Sequence, residues 1–124
     1  MTKRAIILLV LLTVFSISVF AHAPSEIEAR FDNETKILSV SITHSVKDNS
    51  KHYTEEVKVE LNGKEIIVQK FWYQDDNSKT DLKYKIQIAK PGDKIVIKAK
   101  CNISGVKTLT YTVPEPPKEE SIEN

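Results

Sequence analysis

Asn62-Gly63 stands between two runs that alternate apolar and polar residues. Val57, Val59 and Leu61 come before it, separated by Lys58 and Glu60, and residues 64–73 return after it. A two-residue loop of this kind is the type I′ turn of a β-hairpin. Both central positions need positive φ, which Asn and Gly accept more readily than other residues. The expected hairpin pairs residues 57–61 with residues 64–68 in antiparallel register.

The same period-two pattern recurs along the chain. Residues 27–31 read as a short first strand, followed by the turn cluster Asp32-Asn33-Glu34-Thr35. In residues 36–44, Leu38, Val40, Ile42 and His44 share one face, opposite Ser39, Ser41 and Thr43. Leu82, Tyr84, Ile86 and Ile88 alternate with Lys83, Lys85 and Gln87, as in a half-buried strand. Beyond Lys90-Pro91-Gly92-Asp93, the residues Ile95, Ile97, Ala99 and Cys101 oppose Lys94, Lys98 and Lys100. Residues 106–113 form the last strand, with Val106, Leu109, Tyr111 and Val113 as its inward side chains. No amphipathic helix interrupts the series. Strands this short, with turns this regular, predict an all-β, immunoglobulin-like antiparallel β-sandwich of about seven strands. Residues 22–113 constitute that domain. The Pro- and Glu-rich residues 114–124 lack periodicity and read as a disordered tail.

Residues 1–21 have the composition of a signal peptide. Lys3 and Arg4 precede an apolar run from Ala5 to Phe20, and Val19-Phe20-Ala21 fits the small-residue cleavage rule. The alternative is an uncleaved helix that anchors the chain to a membrane, although the run is short for a full span. Cleavage after Ala21 predicts an exported protein, periplasmic or extracellular, whose first residue is His22. The formal net charge of +1 gives no electrostatic footprint for nucleic acid. Asn33-Glu34-Thr35 and Asn102-Ile103-Ser104 match the N-glycosylation pattern.

Cys101 is the single cysteine, so no internal disulfide can form. In an oxidising compartment such a thiol is buried, metal-bound or linked to another chain. The three histidines, His22, His44 and His52, lie at the mature terminus, a strand end and a connection. Together with Cys101 they are the soft or borderline metal ligands of the mature chain. Their positions at element ends allow convergence at one end of the sandwich.

His44, the segment His52-Tyr53-Thr54-Glu55-Glu56-Val57-Lys58-Val59, and Cys101-Asn102-Ile103-Ser104-Gly105 resemble the iron-binding domain of superoxide reductases and desulfoferrodoxins. The resemblance implies a non-haem iron on an immunoglobulin-like sandwich, held in that family by four histidines and a cysteine thiolate. It implies His22, His44 and His52 as imidazole ligands and Cys101 as the axial thiolate. An external electron donor is also implied, because one cysteine cannot build a second redox centre. Lys47 or Lys51 would attract the superoxide anion. Ser104 stands where the family has its last histidine, and the interval from His44 to His52 is longer than the family's. Two other readings stay open: a periplasmic copper carrier that uses the N-terminal His22 with His44 or His52, and a metal-free interaction domain. No catalytic residue is assigned.

Overall fold

The computed structural model describes residues 22–119; the expected signal segment, residues 1–21, lies outside them. Seven strands form two antiparallel sheets: β1 (Glu26–Asp32), β2 (Ile37–Thr43), β3 (Thr54–Leu61), β4 (Lys64–Lys70), β5 (Lys79–Lys85), β6 (Lys94–Cys101) and β7 (Val106–Thr112). One sheet has the order β1-β2-β5 and the other β4-β3-β6-β7. No helix occurs among the described residues, and residues 113–119 carry no regular structure.

The inward stripes of the central strands meet as one core. Leu38, Val40 and Ile42 of β2 face Val57, Val59 and Leu61 of β3 and Ile95, Ile97 and Ala99 of β6. These side chains are essentially excluded from water, which is the main favourable term of folding. Tyrosine hydroxyls tie the sheets together on both flanks. Tyr111 Oη of β7 accepts the Phe31 amide of β1 at 3.0 Å, and Tyr84 of β5 donates to Gln69 Oε1 of β4 at 2.8 Å. Burial pushes the Tyr84 phenol up to about 12.

The hairpin turn has the expected positive φ at both Asn62 (50°) and Gly63 (83°). Leu61 pairs with Lys64, but the register shifts between Val59 and Glu60, so Lys58 meets Val68 and Val57 meets Gln69. The expected pairing is therefore one residue short at its far end.

Two other expectations are corrected. β5 starts and ends earlier than its alternation suggests. The chain leaves the ladder at Ile86, where the Ala89 amide donates back to the Ile86 carbonyl, and Ile88 sits in that turn with 72% of its surface exposed. Val106 does not face inward: it is 54% exposed and has the opposite parity to Leu109 and Tyr111.

A bulge at the start of β3 bears on the site. Thr54 pairs with Cys101 and Glu56 with Lys100, so Glu55 is the extra residue. In a strand without a bulge, the parity of Val57, Val59 and Leu61 would turn Glu55 inward. The bulge flips the alternation. Thr54 is buried in its place, and the Glu55 carboxylate stays near the surface, 3.1 Å from Lys100 Nζ.

Candidate metal centre

His22, His44 and His52 come together at the end of the sandwich away from the Asn62-Gly63 turn. One ligand nitrogen from each lies within 4.8 Å of the others. Two nitrogens bound to one ion at about 2.0–2.1 Å are roughly 3–4 Å apart, so small ring rotations would bring the set to bonding distance. The rings meet edge to face, with centroids 4.8 Å apart for His44 and His52, 5.2 Å for His22 and His52, and 5.4 Å for His22 and His44.

A different piece of the chain delivers each ring. His44 follows β2 directly and continues the Leu38-Val40-Ile42 stripe, so it is fully buried. Its ladder continues into the loop after β4: His44 N–H donates to the Ser78 carbonyl, and Val46 N–H to that of Asn77. His52 closes the connection after β2, where its amide donates to the Asp48 carbonyl at 2.9 Å. The Asn102 side chain fixes the backbone on both sides of His52. Asn102 Oδ1 accepts the Tyr53 amide at 2.9 Å and Asn102 Nδ2 donates to the Lys51 carbonyl at 2.9 Å. His22 is exposed and precedes β1. Its segment is seated by Ala23, which packs so tightly on Gly105 that a Cβ there would lie 2.7 Å from the Ala23 Cβ.

Hydrogen bonds distinguish the ring nitrogens. His44 Nδ1 lies 2.7 Å from Gln74 Oε1 and 3.1 Å from Thr54 Oγ1, and its Nε2 lies 3.2 Å from the His22 carbonyl oxygen. His22 Nδ1 is 3.1 Å from the Ala23 carbonyl, which only accepts, so that nitrogen carries the proton and Nε2 the lone pair. His52 Nε2 is buried with no hydrogen-bond partner. A buried polar atom without a partner is uncommon and costs about 1–3 kcal/mol.

Burial holds the His44 imidazole below its ordinary value of 6.5, opposed by the bond to Gln74 and reinforced by the other two rings. Burial, and then the charge of His22, lowers His52 as well, opposed by the His22 backbone beside the ring. Both rings are therefore neutral at pH 7, the state in which imidazole binds a metal. Beside the trio an open cleft of about 630 Å³ is lined by His22, Ser45, Val46, Lys47, Asp48 and His52.

Cys101 stands at the same end but outside this group of nitrogens. It is buried, as its parity in β6 predicts, and its Sγ accepts the Ile103 amide at 3.4 Å. Thr54, its partner across the strands, is the residue that reaches His44. Ser104 is exposed in the turn beyond. Both asparagines of the glycosylation patterns have their amide nitrogens engaged, Asn33 with the Pro114 carbonyl and Asn102 with that of Lys51.

Sequence reasoning found the histidines and missed Gln74, Thr54 and Asn102, which hold them. Gln74 follows the exposed Trp72 and Tyr73 in a loop and carries no periodic signal. The clue that was present is the Asn in Cys101-Asn102, a residue type suited to bonding neighbouring backbone. No family model matches this sequence, and no curated protein matches it.

Proposed function

We propose that this protein binds a borderline divalent transition-metal ion, copper(II) or zinc(II), through the Nε2 atoms of His22, His44 and His52. The observation that carries the reading is the convergence of one ligand nitrogen each of His22, His44 and His52 within 4.8 Å, in a group where His52 Nε2 is buried and unpartnered and the Nδ1 atoms of the other two rings are engaged. Three neutral imidazoles suit copper and zinc, and a fourth coordination position faces the cleft with Lys47 and Asp48. The sandwich is of the immunoglobulin-like type. Export follows from the leader-like residues 1–21, and His22 would then begin the mature chain.

The thiolate-bound iron centre of superoxide reductases fits these residues poorly. Cys101 lies outside the trio, and Ser104 is no substitute for an imidazole, so no superoxide chemistry is derived. A carrier or binding role requires no change of oxidation state and so no electron donor.

Calorimetric titration of untagged, chelator-treated protein tests the proposal. One equivalent of copper(II) or zinc(II) should bind, His52→Ala should weaken binding at least tenfold, and Cys101→Ser should leave it unchanged. Uptake abolished by Cys101→Ser, with a visible thiolate band from added iron, would restore the iron reading. Failure of the wild type to bind copper, zinc or iron would leave the metal-free interaction domain.

A further inference from the structure

We infer that Gln74 is a positioning residue that selects which nitrogen of His44 faces the histidine cluster. The consequence for metal rests on the proposed function above; the choice of nitrogen does not.

The orientation of the Gln74 amide is over-determined. Its Oε1 accepts the Thr54 amide at 2.9 Å, so that end must be oxygen. Its Nε2 donates to the carbonyls of His44 at 3.1 Å and Asp76 at 3.2 Å, so that end must be nitrogen. The loop carrying Gln74 is itself pinned. Gln74 N–H donates to the Asn49 carbonyl at 3.0 Å, and Asn49 Nδ2 returns a bond to the Gln74 carbonyl at 2.6 Å.

A fixed acceptor 2.7 Å from His44 Nδ1 requires a proton on that nitrogen. The other tautomer would gain two longer bonds, Nε2–H to the His22 carbonyl at 3.2 Å and Thr54 Oγ1–H to Nδ1 at 3.1 Å, but would place the Nδ1 lone pair against Oε1 at 2.7 Å. The shorter contact is the more costly to leave without a proton, particularly in a buried setting. His44 is therefore held as the Nδ1–H tautomer, with the Nε2 lone pair on the side of the ring where the His22 carbonyl lies at 3.2 Å. Outer hydrogen-bond partners of this kind fix ring orientation, raise ligand basicity and typically change metal affinity 10–100-fold on mutation.

The test is long-range proton–nitrogen correlation NMR of the full metal-free protein at neutral pH, with assigned histidine rings. The wild type should show His44 protonated on Nδ1; protonation on Nε2 overturns the inference without any variant being needed. Gln74→Met removes the acceptor at similar volume and should mix the two tautomers. Gln74→Glu keeps an acceptor oxygen and should restore the Nδ1–H form. In titrations with copper(II) or zinc(II), Gln74→Met should bind 10–100-fold more weakly and Gln74→Glu should recover most of the loss. Equal weakening in both variants with an unchanged tautomer would reduce Gln74 to a structural role and overturn the inference. Wild-type protein that binds neither ion while its tautomer still follows Gln74 would refute the metal reading and uphold this one.

Discussion

The two ends of the sandwich solve the same problem differently. At the Asn62-Gly63 end the strands are joined tightly, and polar side chains serve the backbone. Asn62 Oδ1 accepts the Lys94 amide at 2.9 Å, Asn62 Nδ2 donates to Asp93 Oδ1 at 3.1 Å, and Asp93 Oδ2 accepts the Lys90 amide at 3.0 Å. At the histidine end the connections are longer, and Asn49, Asn102 and Gln74 bind them to one another. There the same kind of hydrogen bond also orients side chains. The first end shows what closing a sandwich requires. An unpartnered buried atom occurs at both ends, Asn33 Oδ1 at the first and His52 Nε2 at the second, so it is the buried imidazole with two further rings beside it that calls for a functional explanation.

Substitutions at the two ends can break that contrast. The largest effect is expected for His44→Ala, which empties a buried site and leaves Gln74 Oε1 without its closest donor. It should cost about 3 kcal/mol in denaturant unfolding and abolish metal uptake. Asn62→Ala should cost about 1–2 kcal/mol and leave metal titrations unchanged; equal effects on metal would show that the ends are not independent. Asn102→Ala removes two side-chain bonds around His52 and should cost about 2 kcal/mol, with weaker metal binding.

Gly105 and Gly63 form a matched pair, with φ of 89° and 83°. Alanine at either should cost about 1–2 kcal/mol through the left-handed backbone. Open space surrounds Gly63, whereas a Cβ at Gly105 would strike Ala23. Only Gly105→Ala should therefore displace His22 and reduce metal affinity.

Acidification should act on the histidine end first. His44 and His52 titrate below their ordinary value of 6.5 in the folded chain, so the unfolded chain takes up protons before the folded one does. Metal-free stability is fully present above about pH 6.5 and should decline as pH falls towards the folded values. Asp48 and Asp76 in the same loops are held below 3.8 by hydrogen bonds, Asp48 chiefly from Ser50 and Asp76 from the Lys79 backbone. Their contributions are lost only in stronger acid. Melting curves across this range should show two separate declines, and the first should be missing from a His44→Ala, His52→Ala double variant. The smallest change is expected for His52→Ala alone. It removes an unpartnered nitrogen, so metal-free stability should stay within about 0.5 kcal/mol of wild type although metal binding weakens.

The strands were legible because burial imposes a period. Ile95, Ile97, Ala99 and Cys101 are buried as their parity requires. The end of β5 was not legible, because alternation continues through Ile86 and Ile88 while pairing stops, and only the turn to Ala89 shows where. The bulge at Glu55 was invisible for a related reason: one inserted residue shifts parity without leaving a mark in composition. His44 could be read as an inward histidine at a strand end. Gln74 could not, since its role depends on a loop returning to β2 and β3, and a loop has no repeat. The expected place of Cys101 in the ligand set came from resemblance rather than parity. Parity gave its burial, and Thr54, paired with it across the strands, is the residue whose hydroxyl reaches His44.

The seating of Ala23 on Gly105 bears on how quickly the proposed site would release a metal ion. His22 hangs on a short tether. The Ser25 amide donates to the Thr43 carbonyl at 2.8 Å, and among the described residues before it, 22–24, none makes a ladder bond. With residues 1–21 cleaved, as proposed, His22 would be a terminal residue outside the buried Pro24 and the Ala23–Gly105 contact, while His44 and His52 lie in the body of the fold. Dissociation can then begin with one ligand swinging away, without opening the sandwich. Under the proposed function, affinity would be set by the two rings in the body of the fold and their supports, and lability by the first rung of β1. A substitution that tightens that rung would lengthen residence time while leaving the donor atoms unchanged.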